Sequence, residues 1–382
     1  MIARLITHLV RKRLASYPAV ALVGPRQSGK TTLAKSLGGR YFDHESAQDR
    51  VRIELEGPTL FRGRELVVLD EVQTQPTLFP EIRSAIDAAR KRNGRFLLLG
   101  SVSPALMTRV SESLAGRIAI VELSPLLYSE LERSAARERH WLMGGFPDGG
   151  VLLPRQFPNW QESYVAQLTS RDLPLWGFPG KAQVANRLLR MLAASHGQQW
   201  NASRIGQSLG LSHPTVNSYL DYLTGAFIVR SLPPWHANVG KRLVKSPKVY
   251  LRDSGILHSL LGVSTQDALL GQPWVGASWE GYVIEQVLAE LAARGISTEA
   301  YHLRTSDQHE IDLVLRTAGK VHAIEVKLTA RPSDEDLRRL DAVADLTGAD
   351  HRYLVTRAST VVEGKRTVAC NLAWLLNHFR EH

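Results

Sequence analysis

Cysteine is almost absent from this sequence of 382 residues, in which Cys370 is the single example. One thiol can form neither an internal disulfide framework nor a cysteine-rich metal site, so both devices are excluded. We expect Cys370 to be a small core residue. Because unpaired thiols suit a reducing compartment, the cysteine count also favours a cytoplasmic location.

Long apolar runs are lacking as well. No stretch approaches the roughly 18 apolar residues that a membrane-spanning helix needs, so we expect no membrane span. The amino-terminal residues 1–14 contain a basic cluster, but Arg4 and His8 interrupt their apolar pattern and no small-residue cleavage site follows. This segment therefore predicts an amphipathic helix that leads into the first domain.

Acidic residues are fewer than basic ones, with 37 Asp and Glu against 47 Lys and Arg, which gives a formal net charge of +10. A basic balance favours an anionic partner, with nucleic acid as the first candidate. The chain is also too long for one ordinary core, so we expect two or three domains.

Residues 1–135 are predicted to form the first domain, an α/β core with a parallel sheet. Short continuous apolar runs alternate there with helix-forming stretches from Thr31 and over 80–92. Such runs are typical of strands that are buried on both faces. The predicted strands are Ala19–Val23, Leu66–Leu69, Arg95–Gly100 and Ile118–Leu123.

A phosphate-binding loop lies between the first predicted strand and the first predicted helix. The string GPRQSGKTT fits G-x-x-x-x-G-K-[ST], and its place after a strand and before a helix is the context that the motif requires. Lys30 is expected to reach the β and γ phosphates of ATP, and Thr31 to ligate Mg²⁺. A simple glycine turn is the weaker alternative. The predicted ATP-binding residues are Gly24, Pro25, Arg26, Gln27, Ser28, Gly29, Lys30, Thr31 and Thr32.

Two carboxylates end the second predicted strand, in the string LVVLDE. Acidic side chains disfavour strands, so a pair at the carboxyl end of a buried strand usually has a task. We expect Asp70 to hold Mg²⁺ and Glu71 to orient and deprotonate the attacking water. A solvated strand end is the weaker alternative, because the pair follows a phosphate loop.

Two further catalytic candidates follow along the chain. Ser101 comes directly after the third predicted strand, where a hydroxyl would sense γ-phosphate, although a helix cap explains it equally well. Arg117 is a candidate to stabilise transition-state charge in a neighbouring subunit. A surface arginine before a strand is the competing explanation.

The strings GPRQSGKTTL, LVVLDEVQ, LLLGS and ESLAGR, with GGFP near Gly144 and SRDL near Arg171, together resemble one known family. They are similar to AAA-type ATPases that carry a DUF4143 carboxyl-terminal region, and the likeness covers nearly the whole chain. The resemblance implies an AAA+ fold, ATP hydrolysis and assembly into a dimer or ring.

Residues 136–270 are predicted to form a helical linker and a winged-helix domain. Asn201 caps one helix, Gly210 makes a turn, and Ser212 caps a second helix, which is the spacing of a helix-turn-helix. Strands over 226–232 and 247–251 would form the wing. The candidate recognition residues are Ser212, His213, Thr215 and Asn217. The wing carries the basic residues Arg230, Lys241, Arg242, Lys245, Lys248 and Arg252. We expect them to contact DNA phosphates, and the alternatives are a domain that docks proteins or one that packs on the ATPase core.

Residues 271–382 form the third predicted domain. A helix over 277–294 precedes strands over 310–316 and 321–328, and a further short strand covers 353–356. Asp312 is poorly suited to an apolar strand, and the next strand carries Glu-x-Lys. Glu280, Asp312, Glu325 and Lys327 together resemble the acidic and lysine residues of PD-(D/E)xK nucleases. That likeness implies that Asp312 and Glu325 bind Mg²⁺, Glu280 supports the metal, and Lys327 positions water or stabilises charge at phosphorus.

Two functions follow from these predictions. The first is an ATPase that couples nucleotide state to DNA binding or processing, with a metal-dependent nuclease domain and assembly into a homo-oligomer. The second is a nucleotide-switched regulatory or assembly protein whose carboxyl-terminal domains bind protein partners. Kinase chemistry on a small molecule ranks last, because the sequence contains no recognisable acceptor site.

Overall fold

The computed structural model describes residues 2–100, 114–131, 135–235, 246–305, 307 and 309–381, and the chain divides into two compact units. The first unit comprises residues 1–126, 175–178 and 225–227. The second comprises residues 127–174, 179–224 and 228–382.

The first unit is built on a five-stranded sheet in the order β2-β3-β4-β1-β5, and every pair in it is parallel. The phosphate-loop strand β1 therefore has β4 and β5 as neighbours, and β4 separates it from β3. Its elements are α1 (Ile6–Ser16), β1 (Ala19–Val23), α2 (Lys30–Ser36), β2 (Arg40–Asp43), α3 (Ala47–Leu60), β3 (Val67–Asp70), α4 (Leu78–Ala88), β4 (Phe96–Leu99) and β5 (Ile118–Glu122).

Burial in this sheet follows the apolar runs. Every residue of β1, β3 and β4 is buried, which agrees with strands that are covered on both faces. The four predicted strands are present, and α1 packs through Ile6, Leu9 and Val10. The edge strand β2 was not predicted, because Phe42 is its single buried residue and it carries no apolar run.

The amino-terminal half of the second unit is mainly helical. Asn201 accepts a hydrogen bond from the Arg204 N–H, and Ser212 Oγ accepts one from the Thr215 N–H, so both predicted caps are present. The antiparallel sheet β6-β8-β7 follows these helices. The elements are α5 (Ala135–Met143), α6 (Asn159–Gln167), α7 (Ala182–Ala194), β6 (Gln198–Gln199), α8 (Ala202–Leu209), α9 (His213–Gly225), β7 (Val229–Leu232), β8 (Lys248–Leu251), α10 (Ser254–Leu260) and α11 (Gln266–Leu270).

The carboxyl-terminal half of the second unit contains a mixed six-stranded sheet in the order β13-β14-β12-β11-β10-β9. The strands β9, β10 and β11 pair antiparallel, whereas β11, β12 and β14 are parallel. Its elements are α12 (Val275–Ala293), β9 (Thr298–Arg304), β10 (Glu310–Thr317), β11 (Lys320–Val326), α13 (Asp334–Ala344), β12 (His351–Thr356), β13 (Val362–Glu363), β14 (Thr367–Asn371) and α14 (Leu372–Glu381).

Contacts across residue 270 explain why the structure has two units where the sequence suggested three domains. The helix α12 is buried along most of its length. Its Glu285 accepts hydrogen bonds from Arg230 and Arg252, and its Ser278 accepts one from Trp141 Nε1 at 3.1 Å. Segments on both sides of the predicted boundary thus share one core.

Two composition-based expectations concern the core and membranes. Cys370 is fully buried in β14, and burial raises the pKa of its thiol to about 12, as befits a core residue. Across the described ranges, none of the helices is both long and apolar enough to cross a membrane.

Candidate functional site

The phosphate loop in the first unit joins β1 to α2 through backbone conformations that favour glycine. Gly24 has a φ of +143°, and a Cβ there would lie 2.2 Å from the Leu123 carbonyl oxygen. Gly29 has a φ of +98° and precedes the first residue of α2. Both glycines are therefore required by the path of the loop. The hydroxyl Oγ of the buried Ser28 has no hydrogen-bond partner within the described part of the chain.

Lys30 points back into this loop. Its Nζ donates to the carbonyl oxygens of Gly24 at 2.9 Å and Pro25 at 2.8 Å. Burial lowers the pKa of Lys30 to about 8, against the opposing influence of Glu71 and Asp70. The loop therefore carries a buried ammonium group that is held by backbone oxygens, where phosphate oxygens would be stronger acceptors.

The two predicted magnesium ligands are in direct contact. Thr31 Oγ1 donates to Asp70 Oδ2 at 2.7 Å. Tyr41 Oη donates to the same oxygen at 2.7 Å, and the Glu71 N–H donates to Oδ1 at 3.0 Å. A hydroxyl and a carboxylate that meet at the start of a helix are oxygen donors of the kind that Mg²⁺ prefers.

Glu71 follows Asp70 in a left-handed backbone conformation, with a φ of 49°. Its carboxylate accepts a hydrogen bond from the Gln73 side chain. Burial raises the pKa of Glu71, although the charge of Lys30 opposes the shift. A higher pKa makes the carboxylate a stronger base, so the environment suits the predicted role.

The other loop residues differ in exposure. Pro25 is buried, Arg26 is half-buried, and Gln27 and Thr32 are exposed. Gln27 also adopts a left-handed conformation, with a φ of 59°. These residues shape the loop mainly through their backbone.

Two catalytic candidates remain. Ser101 lies outside the described residues. Arg117 precedes β5, and its backbone oxygen accepts from the Ala19 N–H at the start of β1. The phosphate loop follows the opposite end of β1, and a strand rises about 3.3 Å per residue. Arg117 therefore lies at the end of the strands that is opposite the loop. Its guanidinium binds Asp87 through Nε at 2.9 Å and Nη2 at 3.1 Å, and Arg117 lowers the pKa of that carboxyl.

The second unit brings the predicted nuclease-like residues together around an open cleft of about 600 Å³. Lys327 Nζ lies 3.2 Å from Glu325 Oε1, and the Val326 N–H donates to Asp312 Oδ2 at 2.9 Å. Burial raises the pKa of Asp312 well above its usual range and that of Glu325 to about 7. The cleft is lined by Gly276, Glu280, Asp307, His309, Glu310, Asp312, Glu325, Val326, Lys327, Leu328 and Arg339.

These carboxylates do not form the predicted metal set. Within the described ranges, no three His, Cys, Asp or Glu side chains are placed to hold one metal ion. A lysine from β8 explains the difference. Lys248 Nζ lies 2.8 Å from Glu280 Oε1 and 3.5 Å from Asp312 Oδ1, and it also pairs with Glu310. The carboxylates are thus arranged around an ammonium group.

The described cations of the predicted basic wing also have partners within the chain. Arg230 and Arg252 both bind Glu285 of α12, with Nε distances of 2.6 and 2.8 Å, and Lys248 is buried beside the three carboxylates just described. The described cations of the wing are therefore paired with carboxylates of their own chain. The other three, Lys241, Arg242 and Lys245, lie outside the described residues.

The predicted recognition helix α9 is partly free for contact. Ser212 and His213 are exposed, and Thr215 is half-buried beside the Ser212 hydroxyl at 2.8 Å. Asn217 Oδ1 accepts a hydrogen bond from Trp200 Nε1 at 2.7 Å. Its side-chain oxygen therefore already has a partner within the chain.

Comparisons with known proteins agree with the architecture of the nucleotide site. Residues 16–132 match the AAA domain family, and residues 275–375 match a domain of unknown function, DUF4143. Residues 134–267 match another domain of unknown function, DUF8612. Uncharacterized protein Rv2008c of Mycobacterium tuberculosis (strain H37Rv) and uncharacterized protein Mb2031c of Mycobacterium bovis are each 40% identical over 329 residues. The match covers 85% of this chain and 73% of each relative.

The chain belongs to the family of AAA-domain proteins with a DUF4143 region. Its first unit is accordingly an AAA-type, ATPase-like domain. Two solved structures are more distant. The Walker-type ATPase PABY2304 of Pyrococcus abyssi is 16% identical, with a TM-score of 0.47 and coverage of 67% of this chain and 94% of that one. The STAND protein PH0952 of Pyrococcus horikoshii is 14% identical, with a TM-score of 0.26 and coverage of 75% and 46%. Both scores are below 0.5, so neither likeness bears on the function of this family member.

The sequence did not predict a role for Arg4, which holds the phosphate loop through hydrogen bonds to backbone carbonyls. Its Nη1 donates to the Ser28 carbonyl at 2.9 Å, and its Nη2 donates to the carbonyls of Ser124 at 2.6 Å and Pro125 at 3.1 Å. Arg4 joins the loop to the segment after β5. The one available signal was the interruption of the amino-terminal apolar pattern by a charge.

Proposed function

We propose that the first unit binds ATP with Mg²⁺ and hydrolyses it, and that the nucleotide state controls binding or processing of DNA by the second unit. The observation that carries the ATPase part is the 2.7 Å hydrogen bond between Thr31 and Asp70, with Glu71 directly after. It brings the loop that would hold the phosphates next to the carboxylates that would serve the metal and the water.

Each group in this site has a role that its environment supports. Lys30 would bind phosphate oxygens in place of the loop carbonyls, and the start of α2 would add its partial positive charge. Thr31 and Asp70 would hold Mg²⁺, which when bound neutralises phosphate charge. Glu71 would orient the attacking water and take its proton, a task that a raised pKa favours.

We expect Lys30→Ala and Glu71→Gln each to lower the rate of ATP hydrolysis at least about 100-fold, because one removes a phosphate-binding cation and the other a general base. Glu71→Gln should retain ATP binding, whereas Lys30→Ala should weaken it. Phosphate release and equilibrium binding of a fluorescent ATP analogue provide the two measurements.

Matched substitutions at exposed positions of the same unit are the controls. Lys12 and Glu54 are both exposed, so Lys12→Ala and Glu54→Gln should hydrolyse ATP at the wild-type rate. Undiminished turnover in Glu71→Gln would contradict the assignment of the base.

A homo-oligomer belongs to the proposal because of where Arg117 lies. At the edge of the sheet opposite the loop, Arg117 cannot serve its own nucleotide, so a catalytic role requires a neighbouring subunit. Turnover per subunit that rises with protein concentration would support this role. Turnover that is independent of protein concentration and unchanged by Arg117→Ala would contradict a catalytic role for Arg117 in a neighbouring subunit.

The DNA part of the proposal depends on charge and on the exposure of one helix terminus. It is favoured by the net charge of +10 and by the exposed Ser212 and His213 at the start of α9. The pairing of Arg230 and Arg252 with Glu285 favours the alternative, a nucleotide-switched regulator whose second unit docks proteins. A cytoplasmic location, which the single cysteine favours, suits both functions.

A salt titration separates the two functions. If the chain neutralises three DNA phosphates, its affinity for duplex DNA should fall about 40-fold between 50 and 200 mM salt. Fluorescence anisotropy with labelled DNA, with and without ATP, measures the affinity. No detectable binding at 50 mM salt would favour the protein-docking regulator.

Metal-dependent cleavage of DNA is the second candidate function. It is favoured by the convergence of Glu280, Asp312, Glu325 and Lys327 on one cleft, and opposed by the presence of Lys248 among the carboxylates. Activity would therefore require Lys248 to leave the cluster before a divalent cation could bind.

If the second unit cleaves DNA, Asp312→Ala should abolish nicking in Mg²⁺ or Mn²⁺ while leaving ATP hydrolysis unchanged. Gel analysis of supercoiled, linear and single-stranded DNA provides the measurement, and the exposed Asp334, as Asp334→Ala, is the matched control. A chain that hydrolyses ATP but nicks none of these DNAs would end the nuclease proposal.

A further inference from the structure

The acidic cluster of Glu280, Glu310 and Asp312 already contains a cation of its own chain. We infer that Lys248 is the resident cation of this cluster and that it excludes a divalent metal ion from these carboxylates. The inference concerns the same carboxylates as the nuclease candidate and bears on its metal requirement, but it does not require that cleavage ever occurs.

The position of Lys248 is determined by the sheet that carries it. Lys248 is the first residue of β8, which lies between β6 and β7, and it is paired with Gln199 on one side and Leu232 on the other. Its side chain is only 4% exposed. Because a central strand is held by hydrogen bonds on both sides, this lysine is part of the framework of the second unit rather than a surface group.

The ammonium group meets carboxylates from two separate elements. Glu280 comes from α12, while Glu310 and Asp312 come from β10. Each has a carboxylate oxygen within 3.5 Å of Lys248 Nζ. Tyr250 Oη donates to the same Glu280 oxygen at 2.6 Å. Glu280, Glu310 and Asp312 therefore each already have an oxygen paired with Lys248, whereas Glu325 Oε2 is buried without a hydrogen-bond partner among the described residues.

Charge balance argues that a metal and Lys248 exclude each other. The five carboxylates that line the cleft include Glu325, which pairs with Lys327 at 3.2 Å, while Arg304 lies 3.5 Å from Glu310. Buried carboxylates need compensation by cations, and Lys248 supplies it to Glu280, Glu310 and Asp312. A divalent ion placed among the same oxygens would lie against a fixed positive charge.

The test is a Mn²⁺ titration of the full chain followed by electron paramagnetic resonance. All proteins carry Asp70→Asn, which suppresses the nucleotide site, so that any binding reports on the second unit. The parent should bind no Mn²⁺ that depends on Asp312. Lys248→Met should gain one Mn²⁺ per chain, with at least tenfold higher affinity than the parent, and should lose it when Asp312→Asn is added.

The exposed Lys320 gives the matched control, because Lys320→Met removes a lysine from the same unit without touching the cluster. Mn²⁺ should also raise the melting temperature of Lys248→Met and leave that of the parent unchanged, since removal of the ammonium leaves buried carboxylates uncompensated. If Lys248→Met does not fold, Lys248→Gln replaces it.

Two results would overturn the inference. One is a parent protein that binds Mn²⁺ and loses it on Asp312→Asn, which would place metal and lysine together in the cluster. The other is a folded Lys248 variant that gains no Mn²⁺, which would show that the lysine is not what excludes the ion. Neither result depends on whether the chain cleaves DNA, so this inference and the nuclease proposal can fail separately.

Discussion

The parallel pairing of β1, β4 and β3 is the constraint on which the nucleotide site depends. Parallel strands end at the same edge of a sheet, so the loop after β1 and the carboxylates after β3 meet there although 39 residues separate Thr31 from Asp70. The hydrogen bond between these two side chains can form because that pairing brings them together. Lys30 and Glu71 are the chain neighbours of these two residues, so the same pairing brings them to this end of the sheet.

Much of the first unit could be predicted from the sequence because its signals are local. A strand that is buried on both faces appears as a continuous apolar run, and β1, β3 and β4 were found in this way. The phosphate loop is a contiguous motif with a defined context. The edge strand β2 was missed because a half-exposed strand has no such run, and Arg4 was missed because its partners lie up to 121 residues away.

The second unit shows where local patterns stop being informative. Lys248 belongs to a basic stretch of sequence, and this composition predicted a surface that contacts phosphates. The structure instead places Lys248 among carboxylates 32 to 64 residues further along the chain. Arg230 and Arg252 likewise form ion pairs with Glu285. A charge run specifies the sign of a partner, but only the fold decides whether that partner is a nucleic acid or a carboxylate of the same chain.

The Mg²⁺ dependence of ATP affinity in wild-type and Asp70→Asn proteins tests the central claim most directly, because it examines the contact between the loop and β3 without requiring turnover. We predict that Mg²⁺ tightens ATP binding by the wild type at least about tenfold, equivalent to about 1.4 kcal/mol, and has little effect on Asp70→Asn. An Asp70→Asn protein that keeps the full Mg²⁺ enhancement would contradict the account.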